Sequence, residues 1–344
     1  MPAASGLVVE ARAGASFELL IGLSVLSDPR RDAVERTWVP PLGECPAPLQ
    51  RALARVADNA GETWLHLVGL ALELPATDPR EFVDALERLD AREFRRHLVG
   101  VHVPTWRAIV GADTLERAAA GHAQSIRHLL ASDRYYGGRA RDALATVLPL
   151  TAAQTKRRFV DTMRHFAPLL ARHERELTAR LVDDARRKRT AAAAAPPERV
   201  IASATGGYTY EPEPEFRRVI LIPHLAAGAS LFLCQHRDAR VICYPVGQES
   251  RGERDVDARL IALGKALSDP ARVRILRRLV DGEASLAELA EVAGVAKSTA
   301  HHHLGALRAA RLVTMRGNAR GYWYALRHEG LGEARALLAE LAAT

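Results

Sequence analysis

The run SLAELAEVAGVAKSTAHHHLGAL, residues 285–307, decides the reading of the C-terminal quarter of this 344-residue chain. Ser285 followed three residues later by Glu288 has the capping-box form, in which each side chain takes up the other residue's backbone N–H. The short helix that this opens buries Leu286, Leu289 and Ala290. Gly294 supplies a tight turn, and a second helix starts near Ala296. That helix places Ala300, His303, Leu304 and Leu307 at i, i+3, i+4 and i+7, the period of an amphipathic helix with one buried face. Ser298, His301, His302 and Gly305 fall on the opposite face. Two short helices joined through glycine are a helix-turn-helix pattern.

The flanks extend the pattern. Upstream, Leu260, Ile261, Leu263 and Leu267 mark one helix. Asp269 as N-cap and Pro270 at the first helical position open another, which stops at Asp281-Gly282. Downstream, Leu312-Val-Thr-Met and Tyr322-Trp-Tyr-Ala-Leu alternate as two strands joined through residues 317–321, the hairpin of a wing. Between Val292 and His328 there is no Asp or Glu, while Lys297, Arg308, Arg311, Arg316, Arg320 and Arg327 fall in that stretch. Carboxylates repel phosphates, whereas Lys and Arg release counterions, so an acid-free surface suits double-stranded DNA. The expected contacts are Lys297, Ser298, Thr299, His301 and His302 at the tip and outer face of the second helix, with Arg308, Arg316 and Arg320 on the phosphates.

Ahead of this segment the text is mostly helical. Residues 6–12 form a short strand, and Phe17 to Leu26 is apolar at helical spacing. Asp78-Pro79 opens a further helix, and Gln154 to Arg189 is long and amphipathic with a kink expected at Pro168. After Pro196-Pro197 the period shortens: Phe216 to Pro223, Ser230 to Gln235 and Val241 to Tyr244 read as strands. The chain is thus expected to be α+β, with a mainly helical regulatory region over 1–195, a small β-sheet segment packing with it over 196–250, a polar linker over 248–254 and a winged helix-turn-helix over 255–344.

Composition excludes little but is consistent. Hydrophobic residues make up 48% and charged residues 26%, with a net charge of +7, ordinary for a globular protein with a mild preference for acidic partners. No stretch is long and apolar enough for a membrane span, and the N-terminus lacks the form of a secretory signal, so no membrane role and a cytoplasmic location are expected. Cys45, Cys234 and Cys243 have no metal-finger spacing. If Arg237 and Arg240 flank a tight turn, Cys234 and Cys243 stand opposite each other on paired strands.

The elements Asp269-Pro-Ala-Arg-Val-Arg-Ile-Leu, Leu286-Ala-Glu-Leu-Ala, Ser298-Thr-Ala-His-His-His-Leu and Ala309-Ala-Arg-Leu-Val resemble the ArsR-type winged-helix regulators over about residues 257–327. The resemblance implies a DNA-binding transcriptional regulator, most often a repressor, that pairs as a homodimer on an inverted repeat. Residues 1–250 are also similar to a domain of unknown function found ahead of such regulators, through the strands Val219-Ile-Leu-Ile-Pro223 and Val241-Ile-Cys-Tyr-Pro245; this implies no established activity. Metal sensors of the family carry cysteines in the first helix of the motif, but residues 282–291 here hold neither Cys nor His, and residues 331–341 hold no His.

Other constellations weigh against metal or catalysis. Neighbours on a helix point about 100° apart, so His301, His302 and His303 do not converge on one ion. Asp161 and His165 stand at i, i+4 with His173 and Glu174 beyond, in a strongly charged run that reads as a solvated face. Residues 1–190 show no nucleophile elbow, phosphate loop or zinc-peptidase helix. The expectation is therefore no catalytic residue, no metal ligand and no cofactor, with residues 1–250 sensing an unknown small-molecule effector or a partner. The alternatives are an enzyme or ligand-binding protein with an appended winged-helix control module, and a winged helix that binds protein instead of DNA.

Overall fold

A computed structural model describes residues 6–27, 38–56, 61–74, 76, 78–135, 142, 144–246, 256–318 and 321–343. The expected linker and Arg320 lie outside the described residues. Strand β1 (Val8–Ala11) leads into α1 (Ala15–Leu26), every residue of which is buried. Then follow α2 (Ala47–Val56), α3 (Gly61–His66), α4 (Val68–Glu73), α5 (Pro79–Arg88), α6 (Ala91–Leu98), α7 (Pro104–Val110), α8 (Ala112–Ala119) and α9 (Ala123–Ala131). Asp78 and Asp90 cap α5 and α6 by accepting hydrogen bonds from backbone N–H groups in their first turns. Thr151 and Gln154 form a capping box at the start of α10 (Ala152–Ala171). Pro168 sits in the last turn of α10, and the expected single kinked helix is two, the second being α11 (Glu174–Ala194). Pro196-Pro197 opens a helix, α12 (Pro197–Thr205), because proline suits the first helical position as well as it suits a break.

Four short strands follow, β2 (Tyr208–Tyr210), β3 (Arg218–His224), β4 (Phe232–His236) and β5 (Ala239–Pro245). A sheet of order β1-β3-β5-β4 has β1, β3 and β5 parallel and β4 antiparallel. Its alternation separates two cores. Ile220, Ile222, Val241 and Cys243 join the N-terminal helices, with Leu20, Trp64, Phe94 and Phe159 among that core. Val219, Leu221, Ile242 and Tyr244 face the other way, into a core that runs through Val200 and Ile201 of α12 to the C-terminal helices. Both faces are covered, which accounts for the near-continuous apolar character of β3 and β5. The α+β class read from the sequence is the observed one.

The β4–β5 hairpin turns at Arg237-Asp238, not at Asp238-Ala239, with Arg237 left-handed at φ 52. The register shifts accordingly: Cys234 pairs with Val241, and Cys243 with Phe232. The two thiols are diagonal neighbours on one face rather than opposite partners. At the first core's edge, Glu18 of α1 accepts from Trp38 Nε1 at 2.6 Å and from the Leu225 backbone N–H at 3.1 and 3.2 Å. Burial nevertheless pushes its carboxyl up to about 7.

The C-terminal segment comprises α13 (Val256–Leu267), α14 (Pro270–Val280), β6 (Ala284–Ser285), α15 (Leu286–Ala293), α16 (Lys297–Ala309), β7 (Val313–Asn318), β8 (Gly321–Leu326) and α17 (His328–Ala343). Its sheet has the order β2-β7-β8-β6, so a strand from ahead of the linker adds in parallel to the wing. The Tyr208 hydroxyl seals that edge by donating to the Gly317 carbonyl at 2.7 Å.

Candidate nucleic-acid interface

The helix pair is built as its sequence dictates. Ser285 Oγ accepts from the Glu288 N–H, and Glu288 Oε2 accepts from the Ser285 N–H at 2.7 Å, which completes the capping box of α15. Gly294, left-handed at φ 67, ends α15 and turns the chain into α16. Ala300, Leu304 and Leu307 are buried at 0, 1 and 0% exposure, so the opposite face of α16 is the one presented outward. His303 lies at the margin, its Nδ1 3.8 Å from Asp269 Oδ2, the capping carboxylate of α14; burial holds its pKa below the usual imidazole value.

Lys297, Thr299 and His301 are exposed on the tip and outer face of α16, and His302 is half-buried beside them with its ring 6.5 Å from that of His301. Ser298 occupies the first turn of the helix. Ala296 provides no side-chain cap, so the first N–H groups of α16 lack the usual intramolecular acceptor there. Helix N-termini of this kind attract phosphate oxygens.

The cations are disposed differently from the expectation. Arg308 points inward: it is 7% exposed, and its Nη2 donates to the Thr205 carbonyl of α12 at 2.8 Å. Burial lowers its pKa. It is correctly read as a tie between α16 and α12, not as a surface phosphate contact. Its position four residues after Leu304 carries the signal, since that spacing continues the buried stripe. Arg316 is exposed on the wing but engaged. Its Nε meets Glu283 Oε2 at 2.8 Å, its Nη1 meets Glu211 Oε1 at 3.1 Å, and its guanidinium lies over the Trp323 ring. Glu333 likewise gathers Arg327 at 2.6 Å, Arg259 at 3.4 Å and Arg311 at 4.0 Å. The stretch without acids is therefore partly neutralised by Glu211, Glu283 and Glu333 from outside it, a pairing no local reading reveals.

Residues 267–316 match the family model described as a helix-turn-helix domain. The regulator CmtR of Mycobacterium tuberculosis, an HTH-type transcriptional regulator, is 38% identical over 78 residues. The C-terminal segment is an ArsR-type winged helix-turn-helix. The same stretch of CmtR from Mycobacterium bovis is equally similar. The arsenical resistance operon repressor of Staphylococcus xylosus is 40% identical over 67 residues, 20% of this chain and 64% of its own length. The chain spans 66% of the length of the CmtR relatives, and the match takes up 23% of the chain. Among solved structures, one of a possible transcriptional regulator for arsenical resistance is 32% identical, with 22% of this chain and 80% of that one covered and a TM-score of 0.21. A solution structure of the homodimeric winged helix-turn-helix DNA-binding domain of a possible ArsR-family regulator from Mycobacterium bovis is 29% identical, with 27% and 89% covered and a TM-score of 0.22.

Proposed function

We propose that the protein is a sequence-specific, DNA-binding transcriptional regulator, acting as a repressor, whose ArsR-type segment inserts α16 into the major groove. The observation that carries this reading is the disposition of α16: Ala300, Leu304 and Leu307 lock one face, while Lys297, Thr299 and His301 stand exposed on the other at the helix tip. Side chains at the start of a recognition helix reach base edges, where donor and acceptor patterns distinguish base pairs. Ser298, Thr299, His301 and His302 form the proposed reading surface, with Lys297 beside them on the phosphate backbone. Arg316 joins it on exchanging Glu283 and Glu211 for phosphate, and Arg320 is a further proposed contact.

The active species is a homodimer on an inverted repeat in the cytoplasm. Ile261 and Leu267 of α13 and Leu331 and Leu338 of α17 are 59, 45, 44 and 52% exposed, and the two helices pack on each other, which gives a dimer an apolar surface to cover. Two-fold symmetry sets the two recognition helices about 34 Å apart, one turn of DNA. Residues 1–250 regulate rather than catalyse. Their sheet shares its second core with α12 and the C-terminal helices, so a change there has a packed route to α16. The test is selection of duplexes from a random pool by the full chain. An enriched inverted repeat supports the reading; recovery of the pool unchanged contradicts it.

A further inference from the structure

In the helical region the fold gathers three imidazoles and two carboxylates. Glu93 and His97 stand four residues apart on α6 and so share one face. His102 follows in the next loop, Glu73 ends α4, and the β4–β5 hairpin delivers His236 and Arg237. His102 Nε2 is 3.2 Å and His97 Nε2 is 3.6 Å from the same oxygen, Glu93 Oε1. His97 Nε2 is also 3.3 Å from Glu73 Oε2, and His236 Nε2 is 2.8 Å from Glu73 Oε1. Donor atoms of Glu93, His97 and His102 all lie within 4.8 Å of one another. Bonds of about 2.0–2.2 Å set the ligand atoms around one tetrahedral ion about 3.5 Å apart, close to the 3.2 and 3.6 Å that separate Glu93 Oε1 from His102 and His97.

A merely packed histidine satisfies its ring nitrogens. His97 Nε2 does not: its side chain is 1% exposed, and that atom makes no hydrogen bond of adequate geometry although carboxylates flank it. The surroundings hold the other groups in ligating form and place. Arg96 takes Glu93 Oε2 at 2.8 Å and leaves Oε1 to the imidazoles. The ring of His236 lies so close to Gly69 that a Cβ there would come within 2.3 Å of its Nδ1, so only glycine admits it. Burial, helped by the neighbouring His102, holds the His97 imidazole below its usual range. Partial burial works against Glu73, but the hydrogen bond from Arg237 and the histidines hold its carboxyl down at about 2. Arg96 and Arg237 balance the two carboxylates in charge. Binding therefore depends on imidazole nitrogen, which selects borderline transition metals over calcium or magnesium. A cleft lined by Val101, His102, Pro104, Arg107 and Arg237 opens beside His102.

We propose that Glu93, His97 and His102 bind one divalent first-row transition-metal ion, with Glu73 and His236 closing the site. The residues are remote in sequence from the helix-turn-helix, and the proposal stands whether or not that segment binds DNA. The test is titration of metal-stripped full-length protein with Co(II), followed by visible ligand-field absorption, then displacement by Zn(II). One Co(II) per chain is expected, displaced stoichiometrically by Zn(II). Affinity should fall about a hundredfold in Glu93→Gln and in His102→Gln, and remain in a His301→Ala/His302→Ala variant. His102 is half-buried at the edge of the cluster, so His102→Gln is the variant that keeps the fold, checked by melting without metal. Absence of saturable binding, binding unchanged in both cluster variants, or binding lost with His301 and His302 would each overturn the assignment.

Discussion

Replacing Glu18 by glutamine keeps the acceptor that Trp38 and Leu225 use and removes the proton equilibrium. Glu18 belongs to the buried α1, and its carboxyl is raised from 4.5 to about 7, chiefly by desolvation. The sign follows from linkage: a raised carboxyl pKa favours the protonated form in the folded state, so the group costs nothing below about pH 4.5. The cost grows as pH rises and is complete above about pH 7. At about 1.4 kcal/mol per pH unit, the interval amounts to about 3 kcal/mol. Relative to wild type, Glu18→Gln should therefore gain about 3 kcal/mol of stability between pH 4.5 and pH 8. Urea unfolding of both proteins at the two pH values, followed by tryptophan fluorescence, reads this directly because Trp38 is the side chain bonded to Glu18. A stability difference between the two proteins that does not change with pH would refute the reasoning, since it would mean that Glu18 titrates alike in folded and unfolded chains.

Other consequences are as specific. Arg308→Met should change stability by no more than about 2 kcal/mol, because an apolar side chain of similar size escapes the desolvation cost of a buried charge. It should leave the salt dependence of DNA binding unaltered, and a slope lowered by about one unit would return Arg308 to the DNA surface. Glu213→Ala should destabilise by about 3–5 kcal/mol, since it strands Arg240, which is 2% exposed and holds Glu213 Oε2 at 2.7 Å; unfolding midpoints in denaturant check it. Ile261→Glu with Leu338→Glu should yield monomers by light scattering, and dimers that persist would move the interface elsewhere.

The local grammar of the helix-turn-helix was legible because each signal acts within a few residues. Ser285 and Glu288 cap, Gly294 turns, and Ala300, Leu304 and Leu307 bury, all by contacts set by spacing. What spacing hides is the partner brought from afar. The carbonyl that Arg308 meets belongs to Thr205, and the carboxylates on Arg316 belong to Glu211 and Glu283, so the charge of this surface is a tertiary property. The strand at Tyr208–Tyr210 likewise has too few residues to announce that it pairs with the wing. The Glu93, His97 and His102 cluster is intermediate. Its i, i+4 pair was present in the sequence, in the same form as Asp161 and His165, and only the fold distinguishes the two. It brings His102 and His236 to the first, while Asp161 bonds Arg164 on an exposed face.

The most direct test of the central claim is a set of binding isotherms for the full chain on its selected duplex and on random duplex at several salt concentrations. Wild type, Lys297→Ala and His302→Ala are compared. If α16 reads DNA, Lys297→Ala weakens both duplexes alike and lowers the salt slope by about one unit. His302→Ala instead narrows the gap between selected and random duplex by about 1–3 kcal/mol. Unchanged affinity, slope and preference in both variants would contradict the placement of α16 in the groove.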